Sequence, residues 1–157
     1  MAYGVAIQPD SKIVVAGHAG NGFSTGRNDF AVARFAADGE LDPAFDGDGL
    51  VTTDFAEIVG PDSHDEFGKD VALLADGRIV VVGTAQLDIG GDMAVARYDG
   101  NGVLDPSFGS GGTLTTDFHG GFDSGQDVAV QSDGKIVATG TAVNVFALES
   151  AMIRVTE

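Results

Sequence analysis

The chain has 157 residues, 43% of them apolar, enough for one packed domain or a few repeated units sharing a core. Its 24 acidic and 8 basic residues leave a net charge of −16, which repels phosphate backbones and argues against nucleic acid and anionic membranes as partners. Cysteine is absent, which excludes disulfides, thiolate metal sites and cysteine nucleophiles, and no apolar run reaches the roughly eighteen residues of a membrane span.

The opening MAYGVAIQPD lacks the basic start and apolar run of a signal peptide. It leads into the first predicted element, a hairpin over VAIQPDSKIVVAG, Val5 to Gly17. Two short β-branched runs flank a polar turn and are too short for helices. The loop that follows holds His18, the glycine-rich GHAGNG and GFSTG around Ser24. GHAGNG lacks the Lys-Ser/Thr ending of a phosphate loop. GFSTG matches the G-x-S-x-G nucleophile elbow, but that motif needs a helix after it and none is predicted here, so it reads as a chance match.

DFAVARF, from Asp29, alternates as a third strand and carries Arg34. DGELDPAFDGDG then reads as a structured corner or edge strand with Leu41 and Phe45 as anchors, where Pro43 needs no amide donor. Asp42, Asp46 and Asp48 lie there with part of the spacing of a calcium loop, but without the full D-x-D-x-D-G or a closing Glu. We read that segment as an acidic turn. TTDF, ending in Asp54 and Phe55, is a fourth strand. The loop AEIVGPDSHDEFGK, Ala56 to Lys69, groups Asp62, His64, Asp65 and Glu66, a second place where a metal could gather.

The same elements then return. VALLADGRIVVVG (Val71 to Gly83) and VAVQSDGKIVATG (Val128 to Gly140) align without gaps to the first hairpin. DMAVARY follows with Arg97, and ESAMIRV with Arg154. The corner and TTDF return in the second copy as NGVLDPSFGSGG and a TTDF with Asp117, and are missing from the third. His119 takes no position shared with His18 or His64, so no catalytic base is assigned. The repeats are set at 1–66, 67–123 and 124–157 within a single domain, the last lacking its final strand.

Length differences between copies are confined to two junctions. Eleven residues separate Gly17 from Asp29, against eight in each later copy, and fourteen separate Phe55 from Asp70, against eight between Phe118 and Asp127. Those junctions are surface loops. The run from Phe35 to Leu50 keeps the length of that from Tyr98 to Thr113, so this connector packs against something.

Strands that are apolar on both faces need cover on both, and a radial stack of small antiparallel sheets provides it. The fold class is therefore all-β, a set of β-propeller blades of about four strands each. Small residues such as Ala6, Ala72 and Ala129 suit a crowded inner rim. Arg34, Arg97 and Arg154 recur at one position, which argues for architecture, and an Arg–Asp pairing with Asp54 and Asp117 within or between blades is expected.

DVAVQSDGKIV, DFAVARF, LDPAF and LDPSF with TTDF resemble the delta-60 repeat, and the hairpins resemble NHL-type propeller repeats. The resemblance implies a propeller scaffold, a secreted or cell-surface bacterial setting and no particular chemistry. Three copies fall short of the four to eight blades of a ring, so completion by a homo-oligomer, a dimer for preference, or by a longer parent chain is expected. Three functions stay open. The first is a non-enzymatic scaffold or interaction module without a cofactor. The second is a carbohydrate-binding or calcium-dependent propeller with a protein or glycan partner. The third is a hydrolase using Ser24 or a metal in the Ala56 to Lys69 loop.

Overall fold

The computed structural model describes residues 1–20, 28–55, 65–86, 90–144 and 147–156. Eleven strands and no helix lie in the described residues: β1 (Ala2–Ile7), β2 (Ile13–Gly20), β3 (Asn28–Phe35), β4 (Leu50–Thr53), β5 (Glu66–Leu73), β6 (Ile79–Ala85), β7 (Asp92–Tyr98), β8 (Thr113–Thr116), β9 (Asp123–Val130), β10 (Ile136–Val143) and β11 (Leu148–Val155). They form three antiparallel sheets, β1-β2-β3-β4, β5-β6-β7-β8 and β9-β10-β11. These are propeller blades, not closed into a ring. None of the described residues lies in a helix long and apolar enough to cross a membrane.

Each blade starts with the repeated hairpin. In the second, ADG turns the chain with Gly77 at φ +90°, a left-handed conformation that other residues resist, and Gly77 N donates to the Leu74 carbonyl. The inner strand carries a β-bulge at the same place in every blade, between Ala2 and Gly4, between Gly68 and Asp70, and between Gly125 and Asp127. Opposite each bulge stands the glycine that closes the phrase: Gly17, Gly83 or Gly140. A Cβ on any of them would overlap a backbone carbonyl oxygen, that of Met1, Phe67 or Ser124 respectively.

The inner strand of one blade also approaches the second strand of the blade before it backbone to backbone. A Cβ on Gly68 would come within 2.6 Å of the Gly17 carbonyl oxygen, and one on Gly125 within 2.8 Å of that of Gly83. The crowded rim is thus relieved by glycines, whereas Ala129, expected there, is exposed.

Blade stacking accounts for the doubly apolar strands. One face of blade one, with Val14, Ala16, Phe30 and Val32, packs on Ile79, Val81, Ala96 and Tyr98 of blade two. The opposite face of blade two, with Val80, Val82, Met93 and Val95, packs on Val128, Ile136, Ala138 and Ala151 of blade three. All of β6 is buried. Each Val or Ile so covered contributes about 1.5–3 kcal/mol relative to exposure.

The fixed-length connectors are corners, each paired back to its third strand at Phe35 with Leu41 or Tyr98 with Leu104. Phe45 and Phe108 are the buried anchors. Leu41, also expected to anchor, is exposed.

Candidate functional site

Two polar constellations recur from blade to blade. The first is built on the corner. Arg34 Nε donates to Asp42 Oδ2 at 2.8 Å, and Lys12 Nζ lies 3.1 Å from the same oxygen. In blade two, Arg97 Nε donates to Asp105 Oδ2 at 2.9 Å, with Arg78 Nη1 at 3.2 Å. The remaining oxygen of each aspartate accepts the backbone amide two residues on, Ala44 or Ser107, at 3.0 Å. Phe45 lies under the Arg34 guanidinium and Phe108 under that of Arg97, at 4.8 and 4.7 Å. The Ala44 amide and then Lys12 hold Asp42 below the usual carboxylate range; the Ser107 hydroxyl and amide do the same for Asp105, followed by Arg78 and Arg97.

Here the expected pairing is corrected. The aspartate that meets Arg34 is Asp42 and the one that meets Arg97 is Asp105, where Asp54 and Asp117 had been expected. The connector folds back along the third strand, which brings the Asp of LDPAF or LDPSF beside the arginine eight residues earlier. Arg154 is exposed on β11. Arg34 Nη1 also donates to the Gly100 carbonyl in blade two, and Asp46 N to that of Asn101 at 2.8 Å, so corner meets corner across the junction.

The same pairing lies within the turn that carries part of a calcium-loop spacing. Asp42 already faces two cations, and Asp48 Oδ1 accepts the Leu50 amide at 2.9 Å. Asp46 takes φ +48° as a turn residue. Of the second metal group, Asp62 and His64, like Ser24, lie outside the described residues. Asp65 Oδ1 accepts both the backbone amide and side-chain Nδ2 of Asn28, at 3.0 and 2.7 Å.

Glu66 belongs to the second constellation. It opens β5 and meets Asp29, the second residue of β3, and Asp54, which follows β4; one oxygen of each lies within 4.8 Å of the others. Glu66 is 1% exposed. Burial pushes its carboxyl up to about 8, with the Asp54 and Asp29 charges adding and the Phe55 amide opposing. The registers place Asp92, Asp117 and Asp123 at the corresponding positions of the next junction, and Glu149 begins the same pattern on β11. Asp92 is raised by burial, then by the charges of Asp117 and Asp123. Only Asp54, Asp117 and Glu66 of these were singled out from sequence. The signal for the rest is the acid opening every third strand, Asp29, Asp92 and Glu149.

The strand starts and strand ends that carry these acids lie at one end of the blades, the end at which the two junctions of unequal length join the strands. Toward the inner strands of that end, Tyr3, Phe67, Lys69, Phe122 and Gln126 line a hollow of about 620 Å³. Lys69 Nζ stands 4.2 Å above the Tyr3 ring, and His18 packs edge-on against Phe67 at 4.9 Å.

A family model described as "Domain of unknown function (DUF5122) beta-propeller" matches residues 8–45 and 74–108. These two segments are β-propeller repeats. Each propeller repeat match runs through the hairpin turn, the third strand and the corner, and ends on the phenylalanine beneath the arginine. No curated protein matches the chain.

Proposed function

We propose that the chain is a non-enzymatic propeller module that pairs head to tail with a second copy into a six-bladed ring and serves as a scaffold or interaction surface. The observation that carries this reading is the exposure of Val5. Its counterpart Val71, covered by blade one, is 5% exposed, whereas Val5 is 63% exposed. The other end of the stack matches. Met152 is 64% exposed where its counterpart Val95 is fully buried against blade three. Around Val15, Ala31, Ala33, Phe35 and Leu50, the open face of blade one forms an apolar hollow of about 310 Å³. Each copy offers one face of each kind, so a twofold axis covers all four at once. Two three-bladed copies give six blades, within the usual range. The delta-60 resemblance of LDPAF and LDPSF supports the scaffold role.

Light scattering at micromolar protein and physiological salt tests this. Twice the chain mass is expected, falling to the single-chain mass in Val5→Asp and Met152→Asp with the β spectrum kept. A wild-type chain that stays monomeric overturns the ring.

A second reading, a carbohydrate-binding propeller, is favoured by the hollow around Phe67, where the rings of Tyr3, Phe67 and Phe122 stand among the polar groups of Lys69, Thr84, Ser124 and Gln126. A glycan array with wild type and Phe67→Ala separates the two: specific binding lost in the variant supports the second reading, and an empty array removes it.

A further inference from the structure

The acids at the junction of blades one and two are arranged differently from those at the next. Burial is graded across them: Asp54 is exposed, Asp29 half-buried and Glu66 fully buried. Neither Glu66 carboxylate oxygen has a hydrogen-bond partner, and the Phe55 amide faces it without hydrogen-bond geometry. A buried carboxylate with no donor, pointed at two further carboxylates, is costly unless a positive charge sits between them.

We infer that Asp29, Asp54 and Glu66 hold one hard divalent cation of the calcium class, which clamps the first blade to the second. The donors are all carboxylate oxygens, the set taken by calcium and magnesium in preference to softer metals. Oxygens around one calcium, each about 2.3–2.6 Å from it, lie no more than about 5 Å apart, the spread found here. The exposed Asp54 gives the ion its way in from solvent. Because the ligands come from β3, the end of β4 and β5, the ion ties three chain segments from two sheets.

At the second junction the donors point elsewhere. Asp123 Oδ2 accepts the Phe118 amide at 2.6 Å, and Asp117 Oδ1 accepts the amides of His119 and Gly120 at 3.0 and 2.5 Å. Asp123 Oδ1 is also buried without a partner, but among the described residues only Asp29, Asp54 and Glu66 bring three carboxylate oxygens within 4.8 Å of one another, so the second junction serves as an internal control.

Calcium chloride titrated into the chelator-stripped full chain at physiological salt, followed by calorimetry and by thermal melting, tests the inference. One saturable ion per chain is expected, with a higher melting temperature in millimolar calcium than in EDTA. Glu66→Gln and Asp54→Asn are expected to lose both effects, and Asp123→Asn to keep them. Glu66→Gln keeps the shape of the buried side chain, so the variant is expected to fold. Absence of saturable binding in the wild type, or binding kept in both Glu66→Gln and Asp54→Asn, overturns the site. All three ligands lie within one chain, so the outcome is independent of whether two copies close a ring.

Discussion

Arg97 and Asp105, eight residues apart, meet at 2.9 Å in a nearly dry corner, the arginine side chain 2% and the aspartate side chain 13% exposed. Asp105 faces a second cation, Arg78, and the ring of Phe108 lies beneath the guanidinium. Removing one partner of such a pair leaves a poorly solvated charge and uncovers the ring. Arg97→Ala is expected to cost about 3 kcal/mol, and Arg97→Lys to recover little of it because the planar fork is lost. For a chain of this size that lowers the melting temperature by roughly 6–12 °C. The exposed Arg154→Ala should change stability by less than about 0.5 kcal/mol. Equal effects at the two positions in thermal melts would contradict the assignment.

The same carboxylates set the behaviour in acid. Asp42 and Asp105 are held below the usual carboxylate range in the folded chain, so their pairs contribute fully at neutral pH and are lost as pH falls through the folded values. The stability gap between wild type and Asp105→Asn should therefore hold steady above about pH 5 and narrow below about pH 4. Urea titrations across pH 2.5–7 give that gap directly; one that widens in acid has the wrong sign.

Gly83 faces the bulge of β5, where a Cβ would overlap the Phe67 carbonyl oxygen and come within 3.0 Å of the Gly68 Cα. Both obstacles are backbone and cannot swing aside. Gly83→Ala is expected to destabilise by about 1–3 kcal/mol or to prevent folding. Gly100, at which a Cβ would meet nothing closer than 3.7 Å, should accept alanine with little effect. Denaturant midpoints for the two variants decide it.

Tyr98 and Thr53 share a buried hydrogen bond of 2.6 Å between blades two and one. Tyr98→Phe keeps the ring and strands the threonine hydroxyl, a loss of about 1–2 kcal/mol. The double variant with Thr53→Val should recover most of it, since both partners are then apolar. A double-mutant cycle without coupling would show that the contact carries nothing.

The stacking of blades was legible because β6 and β7 are apolar on alternate and intervening positions alike, a pattern that only two-sided cover explains. The corners were legible as packed structure from their constant length. Their partner was not, because Asp42 and Asp54 are equally recurrent in sequence and only the backward turn of the connector chooses between them. The acid cluster escaped for a related reason. Asp29 and Glu66 are 37 positions apart, on different sheets, and each looks ordinary beside its own neighbours. Acidic clustering within one loop drew attention to Asp62 through Glu66, whereas the convergence depends on how two sheets are superposed.

The enclosure of β6 on both sides has a kinetic corollary. Its amides can reach deuterium only after an outer sheet has peeled away, so exchange should run from the flanks inward and the middle of the molecule should open last.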